Sequence, residues 1–302
     1  MLFPLTDGGE AMKNKILSIG EIIWDVFPDK SVIGGAPLNF AAHCALCGAE
    51  SALLSAVGED QLGKDALAAL KKFGVSDQYV KCASEPTGQC IVTLDQNAVP
   101  SYNVLRDVAY DNITVSGGDI EAINKEGYDA LYFGTLIQRN SVSRDTVKTI
   151  VEKCSFEHII CDVNLRPDCF DASSVGLCLS SATVLKVSDE EEPTLRSLAE
   201  YRPLSNGAED IAKALCERYK NLKTVIITKG KNGSFAYDAL TDSVFEQPAI
   251  GGSVVSTVGA GDSFAAAWLV NYLQGKPINF CMEKAAERSG FVVSRVEAIP
   301  LD

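Results

Sequence analysis

The sequence is short of basic residues, with 27 Lys and Arg against 40 Asp and Glu and a net charge of −13. Phosphate backbones are held by clustered positive charge, so nucleic acid is not expected as a main partner. Histidine is scarcer still, at two residues. No apolar run reaches the roughly 18–20 residues needed to cross a bilayer, so no membrane partner is expected either. The chain has no G-x-x-x-x-G-K-[ST] loop, no protein-kinase H-R-D and D-F-G set, and no G-x-G-x-x-G after the first strand. These absences argue against a P-loop NTPase, a protein kinase and a dinucleotide oxidoreductase. An enzyme of phosphates built on this chain needs another anion site, and backbone N–H groups at a helix N-terminus can supply one whatever the surface charge. The opening MLFPLTDGGEAMKNK lacks the basic-then-apolar order of a signal peptide; residues 1–13 read as a loose extension, with Met12 as a second start.

Ten cysteines are scattered along the chain. Cys44 and Cys47 form a C-x-x-C pair, but they sit in an Ala- and Leu-rich helical stretch with no second pair at zinc-like spacing. Packing as small apolar residues explains them better. Free thiols in this number suit a reducing, cytoplasmic setting.

The chain is 302 residues long and 46% hydrophobic, enough for a sizeable core. Short apolar runs alternate with helical patterns. KILSIGEIIW reads as a strand ending at Gly20, SALLSAVG (51–58) as a second, and residues 128–135, 158–164, 182–188 and 223–230 as others. DQLGKDALAALKKFG reads as a helix stopping at Gly74, and residues 143–154, 207–219 and 260–274 are helical too. Near-continuous apolar strands separated by helices indicate a largely parallel sheet covered on both faces. WDVFPDKSVIGG and TGQCIVTLDQNAVPSYNVLR alternate instead, with turns at Pro28-Asp29-Lys30 and Asp95-Gln96-Asn97. They suggest a small β lid, approximately 24–36 and 87–110, within one α/β domain.

The strongest motif is STVGAGDSFAAAWLVNYLQG (256–275). Gly259, Ala260 and Gly261 leave the backbone N–H groups uncovered at a helix start, which makes an anion cradle. Asp262, in the first turn, can take a proton from an attacking hydroxyl, or can simply cap the helix. In GGAPLNFAAHCALCGA (34–49), Gly34 and Gly35 permit close approach of backbone to ligand, and Pro37 suits a first helical turn. Asn39 would offer a donor and an acceptor to sugar hydroxyls; an ordinary glycine turn reads the same way. His43 reads as packed or solvated rather than catalytic. Asp25 can accept sugar hydroxyls at a strand end or be an exposed lid charge. Arg166, in CDVNLRP with Asp162 and Asn164, can neutralise a transferring phosphate or form a surface ion pair. ITKGKNGS (227–234) suits a nucleotide lying close to the backbone, or a hairpin. The acidic run Asp189-Glu190-Glu191-Glu192 can help hold hydrated Mg²⁺ or be a solvated face.

Taken in order, these segments resemble the PfkB (ribokinase-like) carbohydrate kinase family, from about Lys15 to Pro300. GGAPLNFAAH with AVGEDQLGKDALAALKKFGV is similar to its N-terminal signature, and STVGAGDSFAAA to its C-terminal one. GEIIWDVFP, AYDNI (109–113) and DVNLRP further resemble the fructokinase branch. The resemblance implies a three-layer α/β/α body with a β lid, a homodimer paired through the lids, and ATP with Mg²⁺ as cofactors. It implies Asp262 as catalytic base, Gly259, Ala260 and Gly261 as anion hole, and Asp25, Gly35 and Asn39 as sugar-binding, with Gly34 and Arg106 taken on the same side. Thr228, Gly230 and Gly233 match the nucleotide-side T-x-G-x-x-G, and Glu191 the glutamate of N-x-x-E near the metal. Ser188 replaces that motif's Asn. Ser256 replaces an Asp, which predicts a weak monovalent-cation site. Cys169-Phe170 replaces the Leu-Trp common in fructokinases. The expected activity is transfer of phosphate from ATP to a hydroxymethyl group of a small sugar, fructose first; 2-keto-3-deoxygluconate, ribose or a nucleoside is the nearest alternative. A non-catalytic sugar-binding regulatory module is the alternative of another class.

Overall fold

The computed structural model describes residues 13–94 and 100–301. Met12, Val99 and the turn expected at Asp95-Gln96-Asn97 lie outside the described residues.

Nine strands form the main sheet: β1 (Lys15–Ile19), β4 (Glu50–Gly58), β5 (Val75–Ala83), β8 (Ala130–Phe133), β9 (His158–Asp162), β10 (Val184–Ser188), β11 (Thr224–Thr228), β12 (Ser234–Asp238) and β13 (Ser243–Gln247). Their order is β13-β12-β11-β10-β9-β8-β1-β4-β5. All neighbours are parallel except β11–β12 and β12–β13. A second sheet of β2 (Ile23–Val26), β3 (Ser31–Gly34), β6 (Gly88–Leu94) and β7 (Pro100–Val104) runs β3-β2-β6-β7.

Helices cover both faces of the main sheet. α1 (Ala36–Leu46), α8 (Ala260–Leu273) and α9 (Ile278–Val293) share a core with Tyr132, Ile160 and Ile226. α3 (Gly117–Glu126), α4 (Ser141–Lys153), α5 (Ala172–Ser181), α6 (Glu192–Ala199) and α7 (Ala208–Arg218) pack on the other side around Leu131, Leu185 and Val225. α2 (Gln61–Phe73) joins the first side through Ala66 and Leu70. Its ends are those the sequence predicts: the Asp60 carboxylate accepts from the Gly63 N–H, and Gly74 closes it in the left-handed region. α8 is apolar nearly all round because it is enclosed, with residues 263–270 buried between α1, α9 and the sheet.

The first strand ends within one residue of the Gly20 that the sequence indicates. β1 stops at Ile19, and Pro37 packs over the next residue: a Cβ at Gly20 would lie 2.2 Å from Pro37 Cγ. The chain then leaves the main sheet for β2. Asp25 therefore sits within the small sheet and not at the end of a main-sheet strand. The Pro28–Lys30 turn forms as expected, with the Phe27 N–H donating to Lys30 O at 2.8 Å. β2 and β3 are antiparallel, while β2 and β6 run parallel. ITKGKNGS is a hairpin between β11 and β12. The edge strand β5 and helix α9 were not visible as such in the apolar runs.

The small sheet is tied to the body at its exit. The buried Arg139 guanidinium pairs with Asp111 at 2.7 Å and donates through Nη2 to Leu105 O at 2.6 Å. The sequence leads one to expect Phe27, Val32, Ile33, Ile91 and Val92 to be exposed there. Val92 is buried and the other four are half-buried, and Ile33 with Trp24 packs onto the α1–α2 core. Among the described residues of the small sheet, Tyr102 is an exposed large one, at 57%.

Candidate active site

The C-terminal ends of β1, β9 and β10 converge with the N-termini of α1 and α8 at the edge of the small sheet. Gly259 caps α8 in the left-handed region, φ 79°, and Ala298 lies against it: a Cβ there would be 2.7 Å from Ala298 O. Only glycine combines that backbone conformation with that contact. The first intrahelical bond of α8 runs from the Ser263 N–H to Gly259 O, 2.9 Å. The N–H groups of Gly261 and Asp262 precede it and have no intrahelical partner, as at any helix start. Ala260 is not free in this sense, since its N–H donates to Thr257 O at 3.3 Å.

Asp262 faces α1. Asn39 Nδ2 donates to Asp262 Oδ2 at 2.8 Å, across 223 residues of sequence. Asn39 Oδ1 is buried and has no partner among the described residues. It lies on the side of Gly34, where a Cβ would be 4.0 Å from it and 3.7 Å from Asp25 Oδ2. An unpaired buried acceptor, a carboxylate and a bare glycine thus border one space, a polar set that suits a ligand carrying hydroxyls. Gly35, at φ 110°, lets the backbone pass Glu21 O, which a Cβ would approach to 2.5 Å.

Burial pushes the Asp262 carboxyl up to about 6, and the neighbouring Asp162 adds to the rise. Asn39, Lys186 and Arg166 pull the other way. Asp25 is also raised by burial, opposed by Arg166 and by a hydrogen bond from the Cys90 thiol, its register partner on β6. Arg166 is exposed, and its side chain makes no hydrogen bond or ion pair among the described residues. Its charge nonetheless reaches Glu21, Asp25, Asp162 and Asp262. An uncommitted cation facing several acids is available to an incoming anion.

Other expected residues lie farther from this centre. Thr228 ends β11 opposite Ser188 on β10. The glycines after it shape the hairpin: Gly230 has φ 51°, and a Cβ at Gly233 would meet Gln247 O at 2.2 Å. Arg106 is committed to Asp168 O at 2.6 Å, bridging the small sheet to the loop after β9. The acidic run does not converge as a metal patch. Glu192 turns inward to Arg196 and Tyr201, while Asp189 and Glu190 are exposed. Glu191 alone turns back to the strand ends, accepting from Ser188 N, Ser188 Oγ and Leu165 N at 2.8–2.9 Å. Ser188 therefore anchors Glu191 in place of the usual Asn. Among the described residues no three His, Cys, Asp or Glu are grouped to hold a metal.

Two charged groups escaped the sequence reading. Lys186, fully enclosed on β10, pairs with Asp162 at 2.7 Å, and its Nζ would be 3.2 Å from a Cβ at Gly261. Burial acts against its charge, but the Asp162, Glu191 and Asp262 carboxylates outweigh it and raise its pKa. The signal was a lysine in the middle of the apolar run ATVLKVS. Glu21, next to Gly20, is buried and pushed up to about 7 by that burial, with Asp262 adding to the effect.

The pfkB family carbohydrate kinase pattern matches residues 14–302. An uncharacterized sugar kinase of Pyrococcus horikoshii is 30% identical over 254 residues, 82% of this chain and 75% of that protein. Its crystal structure in complex with ATP has a TM-score of 0.76 at 25% identity, covering 94% of each chain. Fructokinase-2 of Oryza sativa is 26% identical over 95% of this chain and 90% of its own length. The 5-dehydro-2-deoxygluconokinase of Geobacillus thermodenitrificans is 26% identical over 87% and 78%. The ribokinase-like α/β fold, the extent of the match and the site's glycine-rich helix start agree, and the chain belongs to the pfkB family of carbohydrate kinases.

Proposed function

We propose that this sugar kinase transfers the γ-phosphoryl group of ATP to a hydroxymethyl group of a small sugar, fructose first, in the cytoplasm. The observation that carries the reading is the Asn39–Asp262 bond, which fixes a carboxylate beside the open N-terminus of α8. Residues 24–36 and 87–110 act as a lid on one domain, and Asp25, Gly34, Gly35 and Asn39 receive the sugar. Arg106 borders this opening, and Thr228, Gly230 and Gly233 line the nucleotide side. Asp262 takes the hydroxyl proton, the sugar oxygen bonds to the γ-phosphorus, and the bond from that phosphorus to the bridging oxygen of ADP breaks. The N–H groups that the Gly259-Ala260-Gly261 turn leaves open, those of Gly261 and Asp262, stabilise the charge on the transferring group together with Arg166. Mg²⁺ arriving with ATP would neutralise phosphate charge. Glu191, its carboxylate already accepting three hydrogen bonds, suits contact with the ion through water.

Asp262→Asn keeps the shape and the contact with Asn39 but removes the base. Turnover is expected to fall by roughly 10²–10⁴-fold with ATP affinity nearly unchanged; turnover within about threefold of wild type contradicts the role. The base works ionised, so kcat/KM should fall as pH drops below about 6. A rate flat from pH 7 to about pH 5 would contradict that assignment.

The sugar follows from GEIIWDVFP and GGAPLNFAAH, with Cys169-Phe170 as the departure that keeps 2-keto-3-deoxygluconate, ribose and nucleosides on the test panel. A coupled ADP-release screen across sugars and nucleosides reads it directly. Asp25→Ala should raise half-saturation for the active sugar roughly ten- to a hundredfold, the loss of a hydrogen bond to a charge, and leave that for ATP unchanged. Equal loss for both ligands indicates misfolding instead.

Potassium should have little effect. Ser256 supplies a dipole where a carboxylate would supply charge, and its Oγ already accepts from the Val258 N–H at 3.3 Å. Val293 O is occupied by the Val255 and Ser256 N–H groups at 2.8 and 3.2 Å. A potassium titration at constant ionic strength should be flat; a saturating rise of about tenfold in the millimolar range would contradict it.

The subunits pair through their lids, covering Val32 and the exposed Tyr102, which lie on the Asp25 side of the small sheet. Light scattering should give twice the 32.3 kDa chain mass, and a monomer at micromolar concentration rejects pairing.

A further inference from the structure

We infer that His43 is a positioning residue for the anion cradle: it holds the C-terminal tail at Ala298 against Gly259 and so keeps the start of α8 in working shape. The inference rests on the phosphoryl-transfer reading above.

The tail needs something to hold it. Among the described residues, no backbone–backbone hydrogen bond reaches residues 296–301, although Ala298 and Ile299 are buried. Ala298 is nevertheless the residue in contact with Gly259, where a Cβ would lie 2.7 Å from its oxygen and 3.0 Å from its Cα. Whatever fixes Ala298 also bounds the space in which Gly259 keeps its left-handed conformation.

His43 is the polar group that fixes it. Its Nε2 lies 2.9 Å from Ala298 O, across 255 residues of sequence. Its Nδ1 accepts from Arg288 Nε of α9 at 3.2 Å. An acceptor at Nδ1 places the proton on Nε2, the tautomer that donates to Ala298. The ring is fully buried, and burial, with Arg288, pushes its pKa down to about 4, so it stays neutral across the working range. His43 is also four residues beyond Asn39 on α1, one turn along the same helix face. That face thus makes two long-range bonds into one site: Asn39 to the base, His43 to the wall behind the cradle.

Core packing of Ala298 and Ile299 against Leu38, Leu53 and Leu70 could hold the tail without help. The two accounts differ in what they predict. Packing loss lowers stability. Loosening the cradle lowers the rate of the step in which charge moves onto the phosphoryl group, with little effect on ground-state binding.

The test is steady-state kinetics, with thermal melts, on wild type, Asp262→Asn, His43→Ala, His43→Gln and Ala298→Gly, using ATP and the active sugar. His43→Ala should lose about tenfold or more in kcat, the scale of a misplaced catalytic group, with both KM values within about threefold. His43→Gln, whose amide N–H can replace the Nε2 donor, should recover most of that loss. Ala298→Gly, which thins the contact with Gly259 without touching His43, should show the same kcat-only loss and keeps the test open if His43→Ala does not fold. Normal kcat in His43→Ala, no recovery in His43→Gln at equal melting temperature, or normal kcat in Ala298→Gly overturns the inference. If wild type phosphorylates no sugar, or Asp262→Asn keeps its turnover, the reading beneath it falls instead.

Discussion

A single helix terminus has to satisfy two opposed demands. In the proposed reaction its backbone must stay open to an anion, and a carboxylate must sit beside that opening without driving the anion away. The N-terminus of α8 meets the first with Gly259 and Gly261, which carry no side chain over the N–H groups. It meets the second by enclosing Asp262 among compensating groups. The Asn39 amide donates to it, and the Lys186 ammonium and Arg166 guanidinium offset the charge of Asp162 and Asp262. Buried negative charge is costly unless paired and hydrogen-bonded. Here the pairing comes from three different elements, so the electrostatics of the site depend on the whole sheet being assembled.

The small sheet contributes through a break in the chain. β1 ends where Pro37 of α1 fills the space above Gly20, and the chain is diverted into β2. That diversion brings Asp25 to Gly34 and Asn39, while α1 carries Asn39 to Asp262. The glycine–proline contact thus marks the point where the chain leaves β1 for the small sheet, which carries the second carboxylate. The Arg139–Asp111 pair and its bond to Leu105 O secure the other end of the small sheet.

Much of this was legible in the sequence, for physical reasons. The central strands of the main sheet are buried on both faces and so appear as apolar runs. The α2 ends were readable because Asp60 and Gly74 perform local, short-range capping. The Gly259–Asp262 motif and the Gly34–Asn39 motif were readable as separate turns. Their meeting was not, since the Asn39–Asp262 bond joins residues 223 positions apart. Lys186 and Glu21 were passed over because a charge within an apolar run is noticed only once its partner is placed. The edge strand β5 reads as mixed polarity because its burial varies residue by residue. The exposure expected for Ile33 failed because the sequence cannot show that this edge of the small sheet leans on the α1–α2 core.

The central claim is that Asp262 and the cradle at α8 move a phosphoryl group from ATP to a sugar. The most direct measurement is a single turnover with ATP radiolabelled in its γ-phosphate, enzyme in excess, separating sugar phosphate from inorganic phosphate. The account predicts label in an acid-stable sugar phosphate ester with wild type, formed only when sugar is present, and a burst that disappears in Asp262→Asn. Label released only as inorganic phosphate, at a rate indifferent to sugar, would contradict it.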